Sequence, residues 1–336
     1  MQKEALLQNR RAIRAQDFPS SQLAIEPFFF FRAIDGIKRA YGMNREHIVA
    51  QLLLRSWPFP RGSGRITDRF FSDLAFTEEF AEVTTTDGFK ITVMPNELIG
   101  RHIYLTGEFD RSTVEILCYL AKSGDTLLDV GANIGYVSAC FLKNIAGSNV
   151  IAIEPQPIVV DLLRKNLSQF VSRAQVLPVA LSDHDGSTHF HINSNNRGAS
   201  RMVDAHGPST QQVEMWSVSK LLATTKVSRI DLIKLDVEGH EEQVLVGLRP
   251  ALEQFRPRAI LFEDHSKKSA PSQQIGIILR SAHYEVFGLR KHLTRLSFKK
   301  ITCEADCLCS DYVALYSPPP AVPVPDFVCR SRTRAR

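Results

Sequence analysis

Along the middle of the chain, short apolar runs alternate with longer stretches whose apolar residues recur at helical spacing. The runs 126–130, 149–153, 175–180, 230–235 and 258–262 are of strand length and bounded by turn-forming residues, so they predict buried strands. Between them, 136–145, 157–169 and 240–247 carry the apolar stripe of a helix; Val159, Leu162, Leu163 and Leu167 mark one such stripe. Strands alternating with helices predict a mostly parallel sheet covered on both faces. Residues 83–86 and 89–93 flank Asp87-Gly88 as a hairpin leading into this region, and 111–121 suit a helix. Two later runs, 284–289 and 311–316, supply final strands, either of which closes the sheet antiparallel.

The pattern changes at both ends. Residues 1–75 form an N-terminal helical extension, with helices expected at 31–41 and 45–55 and a linker at Trp57-Pro58-Phe59-Pro60-Arg61-Gly62-Ser63-Gly64. Residues 76–317 form the α/β domain. Residues 318–336 are proline-rich and then basic, and are expected to be mostly disordered.

Composition adds little to this division, but charge adds something. The chain of 336 residues is 44% hydrophobic and 23% charged, ordinary values for a globular protein. Its net charge of +5 is not spread over the fold. The first sixteen residues carry +3 and the last twenty another +3, which leaves the remainder at −1. A nearly neutral domain lacks the electrostatic footprint of a nucleic-acid binder, so no nucleic-acid partner is expected. The start is polar and charged, unlike a signal peptide, and the aromatic run Phe28–Phe31 is far too short to span a bilayer. With six cysteines in no disulfide-like framework, a cytoplasmic location is expected. Cys303, Cys307, Cys309 and Cys329 match no common zinc spacing, and buried or free thiols are the preferred reading.

The candidate chemistry starts at Leu127-Leu128-Asp129-Val130-Gly131-Ala132-Asn133-Ile134-Gly135-Tyr136. A strand ends in an acid, a glycine-punctuated turn follows, and a helix begins, which is where α/β sheets hold nucleotide-like ligands. A dinucleotide fingerprint would need glycine at 133 and 136, where this chain has Asn133 and Tyr136. An acid at Asp129 is poorly placed beside a pyrophosphate and suits a ligand carrying an ammonium and a sulfonium. Glu154 closes the next strand and is placed to accept from both hydroxyls of a ribose, with Pro155 and Pro157 fixing the loop beyond it. Asp183 follows the third strand, where it is placed to accept an adenine amino group. Singly, each acid also reads as an ordinary turn former. Three of them at the ends of three consecutive strands point to S-adenosylmethionine.

These segments, together with Ala180-Leu181-Ser182-Asp183, Ile233-Lys234-Leu235-Asp236-Val237-Glu238-Gly239-His240-Glu241 and Val244-Leu245-Val246-Gly247, resemble the successive motifs of FkbM-type methyltransferases over roughly residues 100–265. The resemblance implies a Rossmann-like class I fold, with a mostly parallel doubly wound sheet and an antiparallel final strand. It also implies an S-adenosylmethionine-dependent enzyme. Asp129, Gly131, Asn133, Gly135, Glu154 and Asp183 would contact the cofactor, with Pro155 beside them. The family's tyrosine–glutamate pair before the first helix appears here as Phe109-Asp110, which departs from its pattern.

On the acceptor side, Asp236 ends the fourth strand and faces the crevice at which a transferable methyl group would point. An unactivated hydroxyl is a poor nucleophile, and a positioned base adds roughly 10²–10⁴-fold. Asp236 is the first candidate for base or acceptor-orienting residue, followed by Glu238, His240 and Glu241. Acids in the first turn of a helix are also stabilised by its dipole without any catalytic role. Asp236 with Glu263-Asp264-His265 is compatible with a divalent cation, and equally with solvated loop acids. The polar loop 193–202, with Arg197, Gly198 and Arg201, is either a cover for the acceptor or an ordinary connection. The expected reaction is O-methylation of a small molecule or glycan. An RNA or protein methyltransferase, a nicotinamide oxidoreductase and a non-catalytic binding module are the alternatives.

Overall fold

The computed structural model describes residues 43–59, 61–193, 200–203, 207, 210–317 and 327–330. The chain divides into two compact units between Val49 and Ala50. Helix α1 (Met43–Arg55) spans that division and corresponds to the helix expected at 45–55. The helix expected at 31–41 lies outside the described residues.

The second unit begins well before residue 75. Helix α2 (Ser63–Phe70) forms inside the stretch that reads as linker and extension, because Ile66 and Thr67 on one face are buried. Arg61 just before it binds Glu115, donates to the Ser112 hydroxyl (3.2 Å) and reaches the His292 carbonyl (3.0 Å). Gln51 and Arg55 likewise donate to the Tyr104 carbonyl. These polar ties are invisible to hydrophobic periodicity.

The domain opens with the expected hairpin, β1 (Ala81–Thr84) and β2 (Lys90–Val93), then helices α3 (Leu98–Thr106) and α4 (Arg111–Leu120). Next come β3 (Thr126–Val130), α5 (Tyr136–Asn144), β4 (Asn149–Ile153), α6 (Pro157–Leu167) and β5 (Ala174–Leu177). The chain then leaves the main sheet to form β6 (Ala180–Ser182), β7 (Gly186–His191), β8 (Arg201–Val203) and β9 (Thr210–Ser217). It returns through α7 (Val218–Thr225), β10 (Leu232–Leu235), α8 (Glu241–Phe255) and β11 (Ala259–Glu263). Helix α9 (Gln274–Ser281) and strands β12 (Tyr284–Lys291), β13 (Arg295–Lys300), β14 (Asp311–Tyr316) and β15 (Phe327–Arg330) complete it.

The main sheet has the order β15-β13-β12-β14-β11-β10-β3-β4-β5. Strands β11, β10, β3, β4 and β5 run parallel, and β14 enters antiparallel between β11 and β12. This is the doubly wound class I architecture with an antiparallel late strand. The order reverses between β3 and β10, and the crevice beyond the carboxyl ends of those two strands is where such sheets bind ligands. The sheet is sandwiched between two apolar layers. One contains Leu127, Phe141, Leu163 and Phe287; the other contains Leu128, Ile233, Leu248 and Ile260.

One expectation needs correcting. The run 175–180 is not one strand: Pro178 has no N–H for a ladder, so β5 stops at Leu177 and β6 joins a separate four-stranded sheet of order β6-β9-β7-β8. Of the tail, 327–330 form β15, which pairs antiparallel with β13, and the remainder of 318–336 lies outside the described residues. At the amino ends of the parallel strands, Asp125 is buried. It accepts from the Lys122 amide (2.6 Å), is bound by Arg258 and lies 3.5 Å from Arg229, while Asp231 pairs with the same two arginines. Among the described residues, no helix is long and apolar enough to cross a membrane.

Candidate functional site

A cavity of about 360 Å³ opens at the carboxyl ends of β3, β4 and β10, at the lower end of the range for small-molecule sites. Its floor is the turn after β3. Gly131 takes φ +77°, and the amides of Gly131 and Ala132 both donate to the Ile153 carbonyl (3.0 and 2.9 Å), tying the turn to β4. Asn133 takes φ +49°. Asparagine tolerates the left-handed region better than other residues with a Cβ, so the turn keeps its path where a dinucleotide site has glycine. Its side chain accepts from the Ile134 amide (2.8 Å). Asn166 of α6 donates to the Ile134 carbonyl (2.8 Å) while bridging both backbone groups of Thr92, which braces the turn from behind.

Glu154 forms one wall. Its carboxylate accepts from the Asn133 amide (3.0 Å) through one oxygen and from the Gln156 amide (3.1 Å) through the other. Burial pushes its pKa up to about 7, against the opposing pull of those two amides and of Lys234. Each oxygen keeps a lone pair for a further donor. Pro155 lines the cavity beside it, and Val179, Ala180 and Leu181 supply the apolar side where a planar base would lie.

The opposite wall is rich in acids. Asp236 and Glu238 follow β10, Glu263 ends β11, and Asp110 caps α4 by accepting from the Thr113 amide. Burial and the nearby carboxylates of Asp236, Asp311 and Asp110 push Glu263 up to about 8, with Lys291 opposing. Burial also raises Asp110, again partly offset by Lys291. Lys291 itself binds Asp311 (2.7 Å). The loop carrying Asp236 is held by Glu241, which accepts from the amides of Val237 and Gly239 (both 3.2 Å).

Of the residues singled out in the sequence, Gly131, Asn133, Glu154, Pro155, Asp236 and Glu238 therefore meet at one cavity. Four others stand elsewhere. Asp129 is wholly buried under the turn and accepts from the Ser138 hydroxyl (2.6 Å). Gly135 caps α5, where a Cβ would lie 2.6 Å from Leu163 of α6, so its lack of a side chain serves helix packing. Asp183 is not among the lining residues; it pairs with His184 (2.6 Å) and accepts from the Ser182 hydroxyl (3.1 Å). His240 caps α8 with its Nε2 2.9 Å from the Ser182 oxygen, and burial lowers its pKa.

Lys234, Asp110 and Lys291 also line the cavity. Sequence reasoning passed over Lys234 because it stands inside an apolar strand; a lone lysine in such a run is itself the signal. Asp264 belongs to a turn, accepting from Ser266 and Ser269. Among the described residues, no group of three or more His, Cys, Asp or Glu side chains is arranged for a metal ion. Of the 193–202 loop, residues 194–199 with Arg197 and Gly198 lie outside the described residues, while Ser200 and Met202 line the cavity.

The donor set fits a cationic nucleoside: a two-oxygen acceptor at Glu154, an apolar slot beyond it and an acidic wall facing it. Sequence comparison agrees with this. Residues 129–295 match the family model described as the Methyltransferase FkbM domain. Hexuronic acid methyltransferase AglP of Haloferax volcanii is 33% identical over 164 residues, which cover 49% of this chain and 66% of that protein. The 2-O-methyltransferase NoeI of Sinorhizobium fredii is 27% identical over 159 residues, covering 42% and 65%. The 31-O-demethyl-FK506 methyltransferase FkbM of Streptomyces tacrolimicus is 28% identical over 196 residues, covering 48% and 75%. The chain thus spans just under two thirds of the first two relatives. Over residues 129–295, just under half of its length, the chain matches the FkbM methyltransferase family.

Proposed function

We propose that this chain transfers a methyl group from S-adenosylmethionine to a hydroxyl oxygen of a small molecule or glycan. The observation that carries the reading is Glu154, a buried carboxylate already oriented by two backbone amides and opening onto the cavity at the switch point. That arrangement matches a ribose diol, and the partly exposed Asp236 supplies negative charge for a sulfonium. The bound cofactor supplies an electrophilic methyl group and a neutral thioether leaving group. The residues of the chain do the rest. Glu154 and the Gly131–Asn133 turn would hold the nucleoside in the cavity they share with Asp236. Asp236 would orient the acceptor hydroxyl and take its proton. Glu263, at about 8, carries a proton at neutral pH and so is available to donate to a neighbouring acceptor oxygen. Confinement alone contributes roughly 7–11 kcal/mol once the reacting atoms are aligned.

The acceptor class rests on the relatives, which are named for hexuronic acid methylation, 2-O-methylation and 31-O-methylation. Isothermal titration calorimetry with S-adenosylhomocysteine tests the cofactor: tight binding that Glu154→Ala abolishes is expected, and binding indifferent to that change would sink the reading. Radiolabel transfer from S-adenosylmethionine to uronic-acid oligosaccharides and to hydroxylated macrolides then separates the acceptor classes. Asp236→Asn is expected to keep cofactor affinity and to lose turnover about 10²-fold or more. Wild-type turnover in that variant would remove Asp236 from the mechanism.

A further inference from the structure

Lys234 is the third residue of β10, in register with Asp129 on β3, and its side chain is buried. An ammonium has three hydrogens, and three protein oxygens surround this one. The Gly131 carbonyl accepts at 2.7 Å, Asp129 Oδ1 lies at 3.4 Å and Asp236 Oδ2 at 3.4 Å. Burial alone would lower its pKa, yet the carboxylates of Asp129, Asp236 and Asp110 hold it raised, so the ammonium stays charged. The ammonium thus donates to the Gly131 carbonyl and is flanked by the two carboxylates at ion-pair distance.

The charges divide in a definite way. Asp129 is fully buried, satisfied on its other oxygen by Ser138, and stands directly beneath the ammonium. Asp236 is about one-third exposed and opens to the cavity. One lysine between two aspartates leaves one negative charge over, and only Asp236 presents it to the cavity. The contact with Gly131 spans from β10 to the turn after β3, across the point where the sheet order reverses.

We infer that Lys234 is the positioning residue of this site: its ammonium fixes the cofactor turn through the Gly131 carbonyl and holds Asp236 at the mouth of the same cavity, with Asp129 serving as its buried counter-ion rather than as a ligand contact. The inference rests on the proposed cofactor, and its test has one readout that does not.

Glycine followed by alanine occurs twice in the chain, at 131–132 and 198–199. Protein labelled with carbonyl-13C glycine and 15N alanine therefore gives two peptide signals, one of them reporting the Gly131 carbonyl. In Lys234→Met, that carbonyl resonance is expected to move upfield, as a lost hydrogen bond requires, while the Gly198 signal stays. S-adenosylhomocysteine affinity is expected to fall about tenfold, the order given by one charged hydrogen bond. If the lysine variant does not fold because Asp129 is stranded, Asp129→Asn with Lys234→Met removes both charges and is read in the same way.

The double variant also tests the counter-ion role. Affinity no worse than that of Lys234→Met is expected, because Asp129 acts through the lysine. A further loss would mean that Asp129 meets the ligand itself. An unmoved Gly131 signal in a folded variant would overturn the positioning role. Failure of the wild-type protein to bind S-adenosylhomocysteine would refute the cofactor instead, while the carbonyl signal still decides the role of Lys234.

Discussion

Gly131 lies so close to the backbone of Asp236 that a Cβ on the glycine would stand 1.8 Å from the Asp236 carbonyl oxygen. The turn after β3 and the strand end that carries Asp236 are thus in direct backbone contact. Gly131→Ala must displace one of them and also places a Cβ at φ +77°. We expect it to cost about 2–4 kcal/mol. Thermal unfolding measures the cost, and calorimetry should show S-adenosylhomocysteine binding lost. An alanine variant with native stability and affinity would show that the two segments are not in register in solution.

Glu154 makes cofactor affinity dependent on pH. Its carboxyl titrates near pH 7, and the charged form is the one that accepts from two hydroxyls. Affinity for S-adenosylhomocysteine should therefore rise between pH 6 and pH 8 and level off above. In Glu154→Gln the rise should disappear and affinity should be low throughout. A flat wild-type profile over that interval would contradict the assignment.

Glu263 has the opposite consequence for stability. Its folded pKa, at about 8, lies above the ordinary 4.5, so the folded protein prefers its neutral form. Nothing is lost below pH 4.5. As pH rises towards 8, ionisation becomes increasingly costly in the fold and stability falls. Melting temperatures of wild type and Glu263→Gln should diverge as pH rises from 5 to 8.5, the glutamine variant losing less. Parallel curves would place Glu263 in a more solvated setting.

The far end of the sheet should separate stability from function. Asp125 is buried and engaged by Arg258, Arg229 and the Lys122 amide, at the amino ends of the strands and away from the cavity. Asp125→Ala leaves the two arginines only Asp231 as a carboxylate partner, removes the acceptor of the Lys122 amide, and should cost about 1–3 kcal/mol. S-adenosylhomocysteine affinity, measured below the lowered melting temperature, should be unchanged. A loss of affinity would mean that strain at one end of the strands is transmitted to the other.

Much of this was legible in the sequence, and the parts that were not have physical causes. Strands buried on both faces read as uninterrupted apolar runs, so 126–130 and 149–153 coincide with β3 and β4. The glycine turn and Glu154 are legible as strand-end positions because a tight turn and a strand-end acid leave a local pattern, and both line the cavity. Asp183 reads as the end of the third strand; Pro178 breaks that strand, and β6 brings Ala180 and Leu181 to the cavity while Asp183 beyond them pairs with His184. Lys234 and Asp129 needed the register between neighbouring strands, which no local pattern carries. The joining of 50–75 to the domain depends on arginine and glutamine contacts with distant carbonyls, and polar reach over such separations leaves no periodic trace.

The two sides of the cavity differ in how they are assembled. The turn and Glu154 come from one unbroken stretch, β3 through α6, in which the turn, Glu154 and Asn166 brace one another. The rest of the lining is collected from separated pieces: residues 98–110 ahead of β3, Ala180, Phe190 and Met202 from the small sheet, and Glu263 and Lys291 from late strands. Such a division makes the scaffold modular. If the braced stretch holds the methyl donor as proposed, exchanging residues 98–110 for those of a relative should alter what enters the cavity while leaving that stretch intact, so acceptor choice could diverge while the methyl donor stays fixed.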